Sequence, residues 1–544
     1  MKYLFVLMFL SSSLLCGQQF PERGVPRLDD YLVGQYGNPG KIWSIAATDN
    51  GLIYCASDAG LLEFDGHEWR QFQGSKGFVR SLLVVSDSVL YTGSDKDFGR
   101  WERSGLRDMR YTSLYPFRES TQGVNEEFWG VHQLGEDIIF VSFDNLYVLR
   151  EGQLTKIAAP YRFDRSFFVK DNLYLADEKY GLYRFNGMSL EAVFDYTRQD
   201  PLQIVGVAGE GERLLVTTRD DGQFSFRNGQ LQPITNEVTP YLKRDQVFSY
   251  AAIDDTHYAF GTILNGVYIT DHDGRIIQHI NKQKGLPNNT VLALYYSRQG
   301  RLWLSMDFGL AVVHLGSDLA YVLDYRGEFG TGQTAFLRGE DFYLGTNQGL
   351  YRTDWDRLQN DAGERGLRLV AGSAGQVWAL EEVVGQLLCG HDRGLFRVRN
   401  GTLERLYGDD GVWAIELLDA DHLLAGTYDG VVLFRRKGDG WTYLRKMDPL
   451  LGACAQLEVT DPRTMWVHVP NYGIIRATLD ADRRVVEQQI FPTSDFSGGQ
   501  PQLGQEDGQV VVLTSTQRYV YQSATGAFSR TPTPNLAAGI RNVL

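Results

Sequence analysis

A chain of 544 residues is too long for one hydrophobic core and calls for two or more domains. Hydrophobic residues make up 43% and aromatics 12%, enough to fill those cores, and 59 glycines promise many tight turns. A formal net charge of −14, with no cluster of Lys and Arg, excludes a polyanion such as DNA as a direct ligand, because phosphate binding needs a basic face.

The N-terminus reads MKYLFVLMFLSSSLLCGQQF, with one cation, Lys2, an apolar run over 3–10, then small and polar residues. This predicts a cleaved export signal over 1–18, too short to span a membrane. Leu15 before Cys16 is bulky where lipidation sites take a small residue, so plain secretion is preferred to a lipoprotein. No later apolar stretch approaches ~18 residues. Cys55, Cys389 and Cys454 remain after processing. An odd number in an exported chain predicts buried free thiols and no disulfide framework.

From residue 40 onward one pattern recurs: inner strand, turn, second strand, polar turn with glycine, third strand. Copies lie at 40–69, 82–105, 131–152, 169–187, 207–229, 248–274, 285–313, 335–355, 377–401, 412–441, 458–480 and 504–526. The turn before the third strand falls at Gly60, Gly99, Asn145, Gly181, Gly222, Gly266, Gly309, Gly349, Gly394, Gly430, Gly473 and near Arg518. The step runs from 36 residues (Gly394 to Gly430) to 46 (Gly99 to Asn145), the period of a four-stranded propeller blade. Asn145 is expected to stand in for glycine because asparagine tolerates positive φ.

The strands alternate, with Leu302, Leu304 and Met306 on one face and Trp303 and Ser305 on the other. Both sets are largely apolar, as a sheet packed on both faces requires. Inner strands repeat apolar–aromatic–small–apolar, as in Ile42-Trp43-Ser44-Ile45, Phe128-Trp129-Gly130-Val131, Val377-Trp378-Ala379-Leu380 and Val412-Trp413-Ala414-Ile415. The small residue fits where blades crowd toward an axis. Helix signals are almost absent, and an all-β chain is expected.

The segment 285–313 resembles the two-component regulator propeller repeat through Leu286, Pro287, Asn289, Gly300, Leu302, Trp303, Ser305, Gly309 and Leu310. The first copy is similar to the opening blade of the same exported sensors, through Trp43, Gly60, Leu61, Glu63, Asp65, Gly66 and Trp69. The resemblance implies a periplasmic sensor region. In such proteins two seven-bladed propellers precede a small β-sandwich, a membrane helix, and a histidine kinase or LuxR-type DNA-binding domain. This sequence departs in holding twelve copies rather than fourteen, with no such module after them. Residues 535–544 read as the start of a thirteenth inner strand, with Ile540, Val543 and Leu544 as its apolar residues. The expectation is two consecutive β-propellers of four-stranded blades, over 22–320 (about seven blades) and 321–544 (five to six blades), the second ring incomplete.

No catalytic motif stands out. The histidines are scattered, with only His272 and His279 close, and no metal or cofactor is expected. Fragments of calcium loops at 49–52, 270–275 and 408–413 read better as hairpin turns. Glu126 and Glu127 are adjacent and would face opposite ways in a strand, so they make no acid–base pair.

Binding is the expected role, at the mouth where a propeller gathers loops from every blade. The candidate contacts are Trp43, Trp129, Phe248, Trp378 and Trp413, whose faces suit a sugar ring. The competing reading, favoured by their recurrence in every strong copy, has them packed between blades. The resulting expectation is a sensor of an extracellular cue, such as a glycan, relaying to a C-terminal module, with no direct nucleic-acid binding and with a homodimer left open. The alternatives are a protein-binding scaffold and a propeller hydrolase or lyase.

Overall fold

The computed structural model describes residues 24–531 except 38–39, 106, 119–125, 197–199, 211–212, 318, 325, 356–365 and 451. The expected export signal and thirteenth inner strand lie outside the described residues. The chain divides into two compact units, Met1–Tyr325 and Arg326–Leu544. The described residues form twelve four-stranded antiparallel sheets, seven in the first unit and five in the second. A two-stranded sheet of Val25–Pro26 with Ala320–Tyr321, one α-helix, Thr239–Asp245, and short 3-10 turns are the other regular elements among the described residues. That helix is not long and apolar enough to cross a membrane.

Each sheet is a blade, and in all but the seventh the strands follow one another outward in chain order. In blade 1 these are Ile42–Ala47, Ile53–Ser57, Gly60–Phe64 and Trp69–Phe72. The second and third strands are buried along their whole length, as a sheet with neighbours on both faces demands. Outer strands alternate toward water, as in Met109–Ser113 of blade 2. A single blade cannot cover its own apolar faces, so cores form between blades: Tyr54, Leu61 and Ala56 of blade 1 pack with Leu90 and Trp101 of blade 2.

The glycine turns have a specific cause. Gly181 opens the third strand of blade 4 at φ 125°, where a Cβ would run into the carbonyl of Phe194 on the outer strand. Asn145 departs from the expectation: its backbone is not left-handed, and it begins a regular strand opposite Ala158. Its side-chain amide donates to Glu126 Oε1, which explains asparagine there without any demand on φ.

The first unit closes on itself. Blade 7 takes its inner three strands from Val291–Ser297, Arg301–Met306 and Leu310–His314, and its outer strand from Leu28–Tyr31 near the N-terminus. Leu28 faces Val313 and Tyr31 faces Leu310 across this seam. The inner strand of blade 7 packs against that of blade 1, and Ser305 Oγ donates to the carbonyl of Ile42. Closure thus binds chain segments about 280 residues apart and ties the ring ends together with ladder hydrogen bonds.

In the second unit the inner strands Gly332–Arg338, Val377–Val383, Val412–Asp419, Gln456–Asp461 and Gln502–Glu506 pack in succession, numbered here blades 8 to 12. Cys55, Cys389 and Cys454 are buried free thiols, and burial raises each above the usual thiol range.

Candidate functional site

Every inner strand of the first unit starts with the same irregularity. Pairing with the second strand skips one residue, between Ile42 and Ser44, Val79 and Ser81, Phe128 and Gly130, Phe163 and Arg165, Ile204 and Gly206, Val247 and Ser249, and Val291 and Ala293. A bulge leaves the extra residue unpaired and re-aims its side chain. The seven skipped residues are Trp43, Arg80, Trp129, Asp164, Val205, Phe248 and Leu292, and all seven line one cavity of about 420 Å3. One side chain per blade therefore converges at one end of the channel. The volume lies within the roughly 300–1,000 Å3 of small-molecule sites.

One side of this ring is tied down. Trp43 and Trp129 meet edge to face with centroids 5.3 Å apart. The Arg80 guanidinium lies 4.9 Å from the Trp43 ring and 4.7 Å from the Trp129 ring. Arg80 donates to Asp95 through Nε (2.9 Å) and Nη2 (3.2 Å), which fixes its fork. Trp43 Nε1 donates to Asp58 at 2.7 Å and Trp129 Nε1 to Glu127 at 3.0 Å. With their N–H groups held by carboxylates, the indoles present a fixed, half-buried aromatic surface.

The other side is less saturated. Asp164, Arg165 and Phe248 share the cavity, and the Arg165 guanidinium lies 4.7 Å over the Phe248 ring. Burial pushes Asp164 above the usual carboxylate range, opposed by the neighbouring arginines 165, 162 and 219. Burial also pulls Arg165 below its usual value, partly offset by Asp164.

Trp378 and Trp413 belong to the second unit and are not among the residues that line this cavity. Each occupies the equivalent skipped position, between Val377 and Ala379 and between Val412 and Ala414. They meet edge to face at 6.0 Å, and Trp378 Nε1 donates to the Tyr428 hydroxyl at 2.8 Å. Thus three of the five aromatic candidates come together in the first unit and two pack on one another in the second. In these two inner strands and the next, Gln456–Asp461, Glu381, Glu416 and Glu458 stand opposite Leu388, Leu424 and Trp466. Burial, then repulsion from Glu458 and Glu381, pushes Glu416 up to about 8, and burial with Glu381 pushes Glu458 up to about 7.

Sequence reading missed Arg80, Asp164 and Arg165. The signal was present, since Arg80 and Asp164 fill the place held elsewhere by the aromatic, but the motif was defined by its aromatics. Glu126 and Glu127 do point apart. Glu126 is buried and accepts from Tyr115 and Tyr147, whereas Glu127 accepts from Trp129. His279 stacks flat on Tyr268 at 4.1 Å and is pushed down to about 4 by burial, while His272 is exposed beside Asp273. Among the described residues no three His, Cys, Asp or Glu side chains are grouped to hold a metal. The calcium-like fragments at 49–52 and 270–275 are hairpin turns in which Asn50 and Asp271 bond nearby groups of their own loops. The one at 408–413 is not a hairpin, since it leads from the outer strand Thr402–Tyr407 of one blade into the inner strand Val412–Asp419 of the next.

The profile of the two component regulator propeller family matches residues 285–308, the entry and first two strands of blade 7. No curated protein matches the chain. Among solved structures, the extracellular domain of the putative hybrid two component system BT3049 from B. thetaiotaomicron aligns with a TM-score of 0.64 at 13% identity, over 95% of this chain and 74% of that one. The extracellular domain of the putative one component system BT4673 from the same organism aligns at 0.43 and 16% identity, over 94% and 74%. PorZ, a surface component of the type-IX secretion system of Porphyromonas gingivalis, aligns at 0.37 and 11% identity, over 92% and 73%. At these identities the likeness to BT3049 is one of fold. The chain is an all-β propeller protein carrying the two-component regulator propeller repeat.

Proposed function

We propose that this chain is the exported, ligand-sensing region of a signal-transduction system. Its first propeller recognises an extracellular cue, a glycan, at the channel mouth, and ligand occupancy is relayed to a C-terminal module. The observation that carries this reading is the ring of seven bulge residues, one from each blade, converging on one cavity that contains Trp43, Trp129 and Phe248. Rigid aromatic faces beside a few fixed polar groups are the surface that sugar rings take.

A hydrolase or lyase fits less well. The mouth of the first propeller has one acidic lining residue, Asp164, where a glycosidase needs two facing carboxylates. In the second unit Glu416 and Glu458 are both shifted upward, whereas a working pair needs environments that drive the two values apart.

Equilibrium binding to an oligosaccharide panel, read by calorimetry and by tryptophan emission, tests the reading. A binder whose affinity drops in Trp129→Ala supports it. Silence across the panel removes the glycan.

A further inference from the structure

The residue that follows each bulge in the first propeller is small in six blades: Ser44, Ser81, Gly130, Gly206, Ser249 and Ala293. Crowding is the cause. A Cβ on Gly130 would strike Ser166 Oγ, and one on Gly206 would press on the Tyr250 ring. Ser81 and Ser249 donate to the carbonyls of Phe128 and Val291 in the next blade. In blade 4 the same place is Arg165, paired with Ala176 as Ser44 is paired with Ala56. The longest cationic side chain thus stands in the ring that otherwise admits only the smallest residues.

Arg165 is half-buried, lines the cavity and lies over Phe248, yet it makes no hydrogen bond or ion pair among the described residues. The contrast is Arg80, the other arginine of the cavity, which is held by Asp95. A ring face answers part of the charge of a guanidinium but leaves its in-plane N–H donors to the water of the cavity or to a ligand. Those donors are free to exchange water for the oxygens of an arriving anion. With 67 acidic residues against 53 basic ones, the chain has carboxylates enough to pair a structural arginine. The same excess repels polyanions at long range, so the fit is to a ligand with one or two anionic groups.

Resting on the channel-mouth reading above, we propose that Arg165 is the anchor for an acidic saccharide, whose carboxylate or sulfate oxygens meet the guanidinium fork while the sugar fills the cavity beside Trp43 and Trp129. An arginine fork matches two oxygens of one oxyanion side by side, which sets charge and orientation together.

The test is calorimetric titration of the full chain with uronic-acid oligosaccharides, sulfated oligosaccharides, and the neutral sugars of the same linkages. Binding is expected from the acidic probes, with affinity falling as salt rises. Arg165→Gln should weaken it by about ten- to hundredfold, the loss of a charged hydrogen-bonding partner. Arg165→Lys should recover part of it. Which acidic arm binds distinguishes carboxylate from sulfate. Without ligand, Arg165→Gln should melt close to the wild type, because no hydrogen bond or ion pair of Arg165 is being removed. Neutral sugars binding as well as acidic ones, an acidic binder indifferent to Arg165→Gln, or a large loss of unliganded stability would each overturn the anion role while leaving the glycan reading intact. No binding by any probe would overturn both.

Discussion

Tyr31 lies face to face with Trp303, their ring centroids 6.0 Å apart and their planes 7° from parallel. Tyr31 belongs to the closing strand and Trp303 to the second strand of blade 7, and Tyr31 also meets Phe64 and Trp69 of blade 1 edge-on at 5.2 and 5.7 Å. One side chain therefore stitches the last blade to the first. Tyr31→Ala should cost about 3 kcal/mol, the usual range for truncating a packed aromatic. Scanning calorimetry should show the transition of the first unit falling while that of the second stays in place. Tyr31→Phe should be close to neutral. A uniform fall of both transitions would contradict this picture of closure.

Glu126 is buried among donors. The Tyr115 and Tyr147 hydroxyls reach its Oε2 at 2.8 and 2.7 Å, and Asn145 and Ser142 donate to Oε1. Glu126→Gln turns one acceptor into a donor facing other donors, and a loss of about 2–4 kcal/mol is expected in urea unfolding. Burial, reinforced by the bonds to Glu126, holds both tyrosines well above the usual phenol range. In an alkaline spectrophotometric titration they should ionise only as the unit unfolds. Early ionisation of either would count against the network.

Glu416 links the stability of the second unit to pH. Its usual value is 4.5 and its folded value is about 8, raised first by burial and then by Glu458 and Glu381. The folded state holds the proton more tightly than the unfolded state. The stabilisation is therefore complete below about pH 4.5 and drains away as pH rises toward 8. Urea midpoints of the second unit should fall between pH 5 and pH 8, and Glu416→Gln should reduce that slope, leaving the share of Glu458, which is raised to about 7. Parallel profiles for the two proteins would remove Glu416 as the cause.

Two glycines with positive φ should respond unequally to alanine. Gly181 combines φ 125° with a Cβ path blocked by the Phe194 carbonyl, whereas Gly152 has φ 79° and open space around it. Gly181→Ala should lose about 3 kcal/mol or more, and Gly152→Ala about 1 kcal/mol, the conformational cost alone. Equal losses, measured by chemical denaturation, would mean that the close approach at Gly181 relaxes freely.

The repeated four-stranded unit, the succession of its inner three strands and the recurrence of Trp43, Trp129 and Phe248 at one position of it were legible in the chain because they are local. A blade is a run of hairpins whose partners lie within about 40 residues, and alternation, turn glycines and a small residue at the crowded end all fall inside that window. What depended on contacts beyond it was not legible. The outer strand of blade 7 comes from Leu28–Tyr31, and nothing in those four residues says that they pair with Leu310–His314. Asn145 looked like a substitute for glycine until the fold placed Glu126 against its amide. Whether the inner-strand aromatics faced the channel or a neighbouring blade turned on a bulge, a one-residue skip that period-two alternation does not encode. Arg165 over Phe248, and the approach of Glu381, Glu416 and Glu458, exist only where separate blades converge. The repeat determined the bricks, since each is built from neighbours in sequence; the closed ring decided which of their side chains share a channel, since those residues are neighbours only in space.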